Sequence, residues 1–490
     1  MPAFTLEIAT VLLGLGLLLA EAFIPSKDKA WVGLTAAAGL TFILILTFLA
    51  IGPDAKPDSG WAGWPLWNFY EFDNLARFFK IFALITTILV VLMAVDYRGI
   101  LARFTEDPGS QNATGEYYSI PVFACAGMMW LASANNLAGA FVAIELVTIS
   151  FYVLVAFMRR NLGSLEAGVK YLILGALSTG FLVYGIAWVF GTTGTMDLTA
   201  MADPISNLQS PIPLLFGIAL VLVGLGFKVG AVPMQGWIPD VYQGAPTPTT
   251  AFLSVGSKAA GFIFLIRFLD PFLAVESPVR TQVLTMLAIL AGATLLLGNL
   301  AAIPQTNFKR LLAYSSIAHA GFLVMALAAW RPGSEAVLGS SQAVAFYLAT
   351  YLVMTLGVFF VVAQIRIQRD GEEVSHFNGL AKTNPHLAFG LTILLAALAG
   401  VPLTAGFIGK FLVFSLAVDA GLWPLIIVAF IGVGAGFYYY FKVIRAIWWI
   451  EPTPGVAPIV LPTISRIAVL TLTAASIILG FIFQPILSLL

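Results

Sequence analysis

Charge is scarce in this sequence: aspartate, glutamate, lysine and arginine make up only 10% of its 490 residues. Soluble domains carry about 25% charged residues. Hydrophobic residues make up 60% of the chain, and a fold in water could not cover that much apolar surface. The composition therefore predicts a polytopic protein whose surroundings are the lipid bilayer. Basic and acidic residues balance at 24 each, which gives no reason to expect nucleic acid as a partner.

Cysteine and histidine are also rare. Cys125 is the only cysteine, which excludes an intrachain disulfide and a cysteine-ligated cluster built from this chain alone. Three histidines, His319, His376 and His386, argue against a buried metal site, so we expect no metal here. The first apolar run begins at once, without a basic segment before it, and is interpreted as a membrane helix and not as a signal peptide.

Long apolar runs are what the sequence has in abundance. Runs of about 20 residues are long enough to cross a bilayer as helices. Their length and lack of alternating polarity exclude a closed barrel. Fourteen runs lie near residues 3–24, 31–51, 74–95, 118–134, 136–158, 165–190, 211–232, 247–269, 280–303, 310–330, 341–366, 386–417, 422–449 and 464–487. The sequence therefore predicts an all-α polytopic membrane protein with about fourteen transmembrane helices.

Basic residues in the loops predict the orientation, because cytoplasmic loops carry an excess of lysine and arginine. One set of alternate loops carries Lys27, Lys29, Arg98, Arg103, Arg159, Arg160, Lys309, Arg310, Arg366, Arg369, Lys382 and Arg445. The other set carries Lys56, Arg280 and Arg331. We expect the first set to face the cytoplasm, which places both termini on the opposite side.

The seventh and twelfth predicted helices contain breaks. The first break lies in GFKVGAVPMQGWIPDVYQGAPTPTT, residues 226–250, and the second in ALAGVPLTAGFIGKF, residues 397–411. Proline removes a backbone hydrogen bond from a helix, and paired interruptions in the two halves of a transporter are typical of inverted repeats around a transport site. The alternative is that proline and glycine are simply common in membrane helices.

The breaks suggest an internal duplication, because GAVP at 230–233 is echoed by AGVP at 399–402. We predict two inverted five-helix repeats flanked by two further segments. The predicted organisation is an N-terminal three-helix segment at 1–117, a first repeat at 118–269, a second repeat at 280–449 and a C-terminal helix at 450–490.

Five ionisable residues lie inside predicted membrane segments: Glu145, Lys170, Lys228, Lys258 and Lys410. A charge at bilayer depth costs about 2.5–3.5 kcal/mol on insertion scales, so such residues face protein or water and indicate function. Two alternatives stay open. Glu145 is also a candidate for a structural ion pair, and Lys170 lies close enough to a helix start for its side chain to reach the membrane surface.

Other polar residues have weaker claims. His319 in the tenth predicted helix is a candidate for a proton wire or for simple packing. Asp240 and Tyr242 follow the first break, where we favour a structural cap. Glu7, Glu21, Asp73, Arg77 and Lys80 lie near helix ends and are predicted to be interfacial.

Together the buried charges predict a route for protons across the membrane interior. Burial disfavours the charged form of an ammonium group, and a nearby carboxylate restores it. The hypothesis is a path from the cytoplasmic side through Lys228 and Lys258 to Lys410, with Glu145 controlling Lys228. Each step passes a proton through water or through polar side chains.

Four segments within residues 115–450 are long and specific. They read GFKVGAVPMQGWIPDVYQGAPTPTTAFLSVGSKAAG, SLEAGVKYLILGALSTGFLVYG, NFKRLLAYSSIAHAGF and GFIGKF. They resemble the antiporter-like membrane subunits of respiratory complex I, NADH:quinone oxidoreductase, and most closely the subunit N type. The turn PDVYQGAPTP and Lys410 favour this type, since the M type resembles it but has glutamate at the place of Lys410.

The resemblance implies a fold of fourteen helices with two inverted repeats, and broken helices seven and twelve. It implies that the ion-path residues are the same five charged residues singled out above. The family often has histidine where Gln235 stands, and glutamine cannot titrate. An antiporter-like subunit of a cation/proton antiporter or of a membrane hydrogenase is the alternative, and a stand-alone transporter lacks a visible solute site.

The resemblance also implies partners and location. We expect neighbouring membrane subunits, namely an M-type subunit and small membrane subunits, in the inner membrane of a bacterium with both termini on the periplasmic side. Redox chemistry in this family takes place on other subunits. We therefore expect this chain to bind no flavin, iron–sulfur cluster or quinone, and to contribute to the enzyme as a translocating subunit.

Overall fold

The computed structural model describes residues 1–24, 26, 28–105, 114–273, 277–331, 339–452, 454–487 and 489. Over these ranges the regular elements are helices, joined by a few isolated β-bridges. Lys27, one of the basic loop residues used to predict the orientation, lies outside the described residues.

Sixteen longer helical elements build the described structure. They are α1 (Thr5–Phe23), α2 (Ala30–Thr47), α3 (Asn74–Arg103), α4 (Gly115–Ser133), α5 (Leu137–Val155), α6 (Leu162–Thr193), α7 (Ile212–Val229), α8 (Ile238–Gly244), α9 (Thr247–Leu273, with a π turn at Leu253–Ser257), α10 (Arg280–Ala302), α11 (Phe308–Ala328), α12 (Ser340–Arg369), α13 (Pro385–Ala399), α14 (Ala405–Asp419), α15 (Trp423–Trp449) and α16 (Thr463–Phe481). Shorter helical turns lie at Pro53–Ala55, Pro65–Phe69, Thr199–Met201, Ala202–Ser206, Met234–Trp237, Val374–Phe377, Leu380–Thr383 and Gln484–Leu487.

Helices form at all fourteen predicted positions. Among the described residues, 12 helices are long and apolar enough to cross a membrane. The remaining two positions are α4, which carries polar residues at its start, and the pair α13 and α14, whose 15 residues each fall short of a full crossing. The all-helical membrane fold is confirmed, while the exact count of fourteen crossings and the inverted repeats stay predictions.

Both predicted breaks are present and end in the same backbone geometry. Gly230 follows α7 with φ +82°, and Gly400 follows α13 with φ +91°, a conformation that glycine adopts at little cost. In each case two successive N–H groups return to one carbonyl, that of Gly226 at 2.9 and 2.8 Å and that of Ala396 at 3.0 Å for both bonds. Each half-helix therefore ends in a glycine-stabilised terminus whose last carbonyls point into the protein.

The centre of the fold is formed by α9, α11 and α12. These three helices are almost wholly enclosed by other helices, whereas α1 and α16 expose most of their surface. A helix that is apolar all round fits such a central position. Since Lys258 lies on α9 and His319 on α11, the fold places both residues away from lipid.

The N-terminal helices contain a buried ion pair where the sequence predicted interfacial charges. The Lys80 ammonium contacts the Glu7 carboxylate, and the two residues are 0% and 3% exposed. Tyr70 donates its hydroxyl to Glu7 at 3.2 Å, and Lys80 donates to the Met129 carbonyl at 2.8 Å. The interfacial prediction was wrong for Glu7 and Lys80, because α1, α3 and α4 pack together around these side chains.

An ion pair also ties α3 to α9. Arg267, nine residues beyond Lys258, donates two bonds to Asp73 at 2.8 and 2.7 Å. Asp73 caps α3 by accepting the Ala76 N–H at 2.7 Å. Burial raises the pKa of the neighbouring Glu71 carboxyl, which Arg267 partly offsets. This contact fixes the end of α9 opposite the basic loops.

Candidate ion-path site

Lys228 sits at the broken end of α7. It is the last residue but one of that helix and is only 4% exposed. Its ammonium donates to the Thr148 hydroxyl on α5. The last turn of a helix favours a cation, and Lys228 lies in that turn of α7.

Glu145 lies one turn before Thr148 on α5 and is half-buried. Residues three apart on a helix are neighbours, so Glu145 and the hydroxyl that binds Lys228 share one face. The Glu145 carboxylate accepts the Thr179 hydroxyl of α6 at 2.9 Å. The described contacts of Glu145 are thus to a hydroxyl and not to a locked ion-pair partner, which leaves its charge free to act on Lys228 at a distance.

Lys258 is the most enclosed of the candidate lysines, at 2% exposure. Its ammonium donates to the backbone carbonyl and, at 2.6 Å, to the hydroxyl of Ser316 on α11. The same hydroxyl is 3.1 Å from the hydroxyl of Tyr242. The Tyr351 ring lies 5.3 Å from the ammonium, a favourable cation–π distance.

His319 is joined to two tyrosines. Its Nδ1 lies 2.7 Å from the Tyr347 hydroxyl and its Nε2 lies 3.3 Å from the Tyr440 hydroxyl. Tyr440 in turn contacts the Ser315 hydroxyl. An imidazole with a hydroxyl at each nitrogen accepts a proton on one side and releases one on the other, so the structure gives His319 the contacts that a proton wire needs.

Lys410 lies at the second break. It donates to the carbonyls of Leu398 and Ala399, the last two residues of α13, at 3.0 and 2.7 Å. These carbonyls have no partner within their own helix, so the ammonium satisfies them and meets the negative end of the helix dipole. The Phe322 ring of α11 lies 5.4 Å away.

One stripe along α11 connects these groups. Ser316, His319 and Phe322 follow one another at intervals of three residues, which places them on one face. They contact Lys258, the tyrosine pair and Lys410 in turn. The structure therefore brings two of the predicted lysines and the histidine onto one side of a single enclosed helix.

Lys170 lies outside this interior. Its side chain is 41% exposed, and its ammonium pairs with Glu166 at 2.6 Å and with Asp240 at 2.7 Å. Asp240 also accepts Arg310 at 2.7 Å. Lys170 therefore takes the surface position that was its alternative interpretation, and Asp240 bridges two cations instead of capping a helix.

The sequence did not point to the residues that connect the lysines. Ser316, Tyr347 and Tyr440 are uncharged, so their burial carries no cost that would single them out. Lys309, counted as a loop residue, is only 2% exposed. Ser316 lies three residues before His319 on the same helix face. A hydroxyl side chain at that spacing from a histidine is the signal that would have identified it.

The structure offers little for a metal or redox group. Across the described ranges, no three histidine, cysteine, aspartate or glutamate side chains converge as a metal site requires. Cys125 is buried beside the Met129 sulfur at 3.9 Å.

Replacing Gly400 with alanine is expected to reduce ion movement through Lys410. A Cβ at this positive φ would lie 2.9 Å from the Lys410 Cδ, so the Lys410 side chain must shift, and we expect this to weaken its contacts with the α13 carbonyls. The measurement is proton translocation in reconstituted vesicles. Gly434→Ala is the control, since its Cβ meets no atom within 4 Å; equal translocation in both variants would contradict the role of the carbonyl contact.

Comparisons with known proteins find relatives over most of this chain. The profile of the family described as NADH:quinone oxidoreductase/Mrp antiporter, TM, matches residues 134–436. That range includes all the candidate ion-path residues and leaves out the Glu7–Lys80 pair. The chain is 37% identical over 485 residues to NADH-quinone oxidoreductase subunit N of Heliobacterium modesticaldum, covering 98% of this chain and 96% of that protein.

Solved structures show the same architecture. A chain of respiratory complex I from Thermus thermophilus with bound aureothin matches with a TM-score of 0.78 and 30% identity, over 99% of this chain and 98% of that one. A chain of the archaeal membrane-bound sulfane sulfur reductase matches with a TM-score of 0.84 and 24% identity, over 99% and 96%. The second likeness shows the fold alone.

Proposed function

This chain belongs to the NADH:quinone oxidoreductase/Mrp antiporter family of membrane subunits, and on that premise we propose that it acts as the subunit N type of NADH:quinone oxidoreductase. In this role it translocates protons across the membrane. The energy comes from redox chemistry on other subunits, and this chain carries no flavin, iron–sulfur cluster or quinone site. The single cysteine, which is buried, supports that division of work.

The observation that carries the proposal is the α11 stripe. Lys258, His319 and Lys410 are 2%, 3% and 8% exposed, and each contacts this one helix or a side chain bound to it. An ion pair built only for stability would hold each ammonium against a carboxylate. Instead these ammonium groups are bound to hydroxyls and carbonyls, which accept hydrogen bonds without fixing the charge.

The proposed movement of protons has several steps. Glu145 favours the charged form of Lys228, and loss of that influence releases a proton toward Lys258. From Lys258 the proton passes to the Ser316 hydroxyl and the water or tyrosine hydroxyls beside it, while His319 takes up one proton and gives up another. Lys410 receives the proton at the second break. In this scheme Lys170 acts at the surface with Asp240.

The surroundings follow from the same proposal. The chain lies in the bacterial inner membrane with both termini on the periplasmic side, next to an M-type subunit and small membrane subunits. Residues 118–269 and 280–449 form two inverted five-helix repeats between segments 1–117 and 450–490. The similarity of the break at Gly230 to the break at Gly400 supports this duplication.

The test is isolation of the chain with its assembly. A tagged copy is purified from its host's membranes in mild detergent and reconstituted into vesicles. We expect it to co-purify with peripheral redox subunits, to support NADH oxidation by quinone and to acidify the vesicle interior. Isolation with cation/proton exchange and without NADH oxidation would favour the antiporter alternative and overturn the proposal.

A further inference from the structure

A polar cavity opens on the side of the basic loops, beside Asp240, which pairs with Lys170 and Arg310. Its volume is about 510 Å³, and charged and amide side chains line much of its wall. The residues that matter here are Asp240, Gln243, Lys309, Arg310, Arg366 and Glu372. A cavity of this size with polar partners has room for water.

A buried ion pair lies in the wall of this cavity. Lys309 on α11 and Glu372 after α12 are joined at 3.2 Å, and their side chains are 2% and 12% exposed. Lys309 also donates to the Ala245 carbonyl at 2.8 Å, and Glu372 accepts the Thr247 hydroxyl at 3.2 Å. Ala245 lies between α8 and α9, and Thr247 is the first residue of α9, so the pair is bound to the start of the helix that carries Lys258.

The backbone holds Glu372 in this position. The Phe308 N–H donates to the Glu372 carbonyl at 2.8 Å, and the Val374 N–H donates to the Thr306 carbonyl at 2.9 Å. The start of α11 and the segment after α12 are thereby fixed to each other. These main-chain contacts hold the backbone of Glu372, while its carboxylate is bound by Lys309 and by the Thr247 hydroxyl.

Two short routes lead from this pair to Lys258. Lys309 and Ser316 are seven residues apart on α11, which is two turns on one face and about 10 Å along the axis. Asp240 and Gln243 of α8 line the cavity, while Tyr242 of the same helix contacts the Ser316 hydroxyl at 3.1 Å. The cavity and the surroundings of Lys258 are thus separated by the thickness of one short helix.

We propose that the Lys309–Glu372 pair is the proton-uptake gate between the cytoplasmic cavity and Lys258, an inference that rests on the proposed function. Glu372 accepts a proton from a hydronium ion in the cavity and becomes a neutral acid, which weakens its hold on Lys309. The acid then gives its proton through water to the hydroxyls of Tyr242 and Ser316, and Lys258 in its neutral form receives it, so that the gate is a second source of protons for Lys258 beside Lys228. Glu372 returns to a carboxylate and the ion pair closes again, so one proton has moved from the cavity to Lys258 and Lys258 now carries its positive charge.

Other charged and titratable groups face the same space. Arg366, Glu373, His376 and Tyr97 also line the cavity. Glu373 is held by the Asn307 amide at 3.1 Å and lies outside the ion pair. It is therefore a matched control, one position away and with the same carboxylate.

The test uses the whole complex in vesicles and compares Glu372→Gln with Glu373→Gln. We expect Glu372→Gln to lower the number of protons moved per electron below the parental number and toward that of a Lys258→Met complex, while Glu373→Gln keeps the parental number. Glu372→Asp is expected to recover part of the loss, because a titratable acid is restored. Parental pumping in Glu372→Gln would overturn the gate.

The double variant Glu372→Gln with Lys309→Met separates a gate from a structural pair. Removing both partners leaves no unpaired buried charge, so the double variant is expected to assemble normally. It is still expected to move fewer protons per electron than the parental complex. Normal pumping in the double variant would show a purely structural pair and overturn the inference. If Lys258→Met fails to pump and Glu372→Gln pumps normally, the result contradicts the gate but not the proposed function. If neither variant affects pumping, the result contradicts the proposed function as well.

Discussion

Replacing Lys258 with methionine is expected to abolish proton pumping by this subunit while the complex still assembles. Methionine is about as long as lysine without its ammonium and packs readily in irregular apolar spaces. The site is 2% exposed, so no water-exposed group can substitute for the lost amine. The Ser316 hydroxyl and carbonyl then face an apolar side chain, and the first member of the α11 stripe loses the ammonium that it binds.

The measurement is the number of protons moved per electron in vesicles that contain the purified complex. Lys442→Met is the matched control, because Lys442 also donates to a backbone carbonyl, that of Gln305 at 2.8 Å, but lies apart from the stripe. We expect the control to pump normally. Alanine at Lys228 or at Glu145 is expected to abolish pumping in the same way, and normal pumping in the Lys258, Lys228 and Glu145 variants together would refute the path.

The cost of burying charge predicted three of the lysines well, and the reason is physical. An ammonium in a long apolar run has few places to go, so Lys228, Lys258 and Lys410 were recognisable from sequence alone and are all enclosed. Lys170 was also within an apolar run, but it lies eight residues after the start of α6, where a flexible side chain reaches the surface. Depth along a helix was predictable, and the direction of the side chain was not.

The partners of these lysines could not be predicted in the same way. Ser316 and Tyr440 cost little to bury, and nothing in a single sequence shows that they lie beside Lys258 and His319. Glu372 lies 63 positions from Lys309, in a segment that reads as an ordinary loop. Contacts of that range are set by how α11 and α12 pack, which a hydropathy pattern does not contain.

The burial of Glu7 and Lys80 could not be predicted from the sequence either. Both lie near helix ends, a position that predicts contact with the membrane surface. The packing of α1 and α3 against α4 encloses them instead. The pair lies outside the range matched by the family profile, so its contribution is expected to be to the stability of the N-terminal segment and not to the ion path.

Replacing Glu7 with leucine is accordingly expected to destabilise the subunit by about 3–5 kcal/mol, because Lys80 is left as an unpaired charge in a fully buried position. The double variant Glu7→Leu with Lys80→Met is expected to recover most of that loss. Recovery stays incomplete, since the Tyr70 hydroxyl and the Met129 carbonyl lose their partners and an unsatisfied buried group costs about 1–3 kcal/mol.

The measurement is the midpoint temperature of unfolding of the purified complex at one fixed heating rate, because large membrane assemblies unfold irreversibly. Glu451→Gln serves as the control: its ion pair with Lys382 is 79% exposed at the glutamate and 55% exposed at the lysine, and exposed pairs contribute little. For a buried pair, removing one partner lowers the unfolding temperature and then removing the other raises it again. For an exposed pair, neither substitution changes the unfolding temperature by much. If Glu7→Leu and the double variant unfold at the same temperature, Lys80 is not held by Glu7, and the enclosure of the N-terminal helices does not depend on this charge pair.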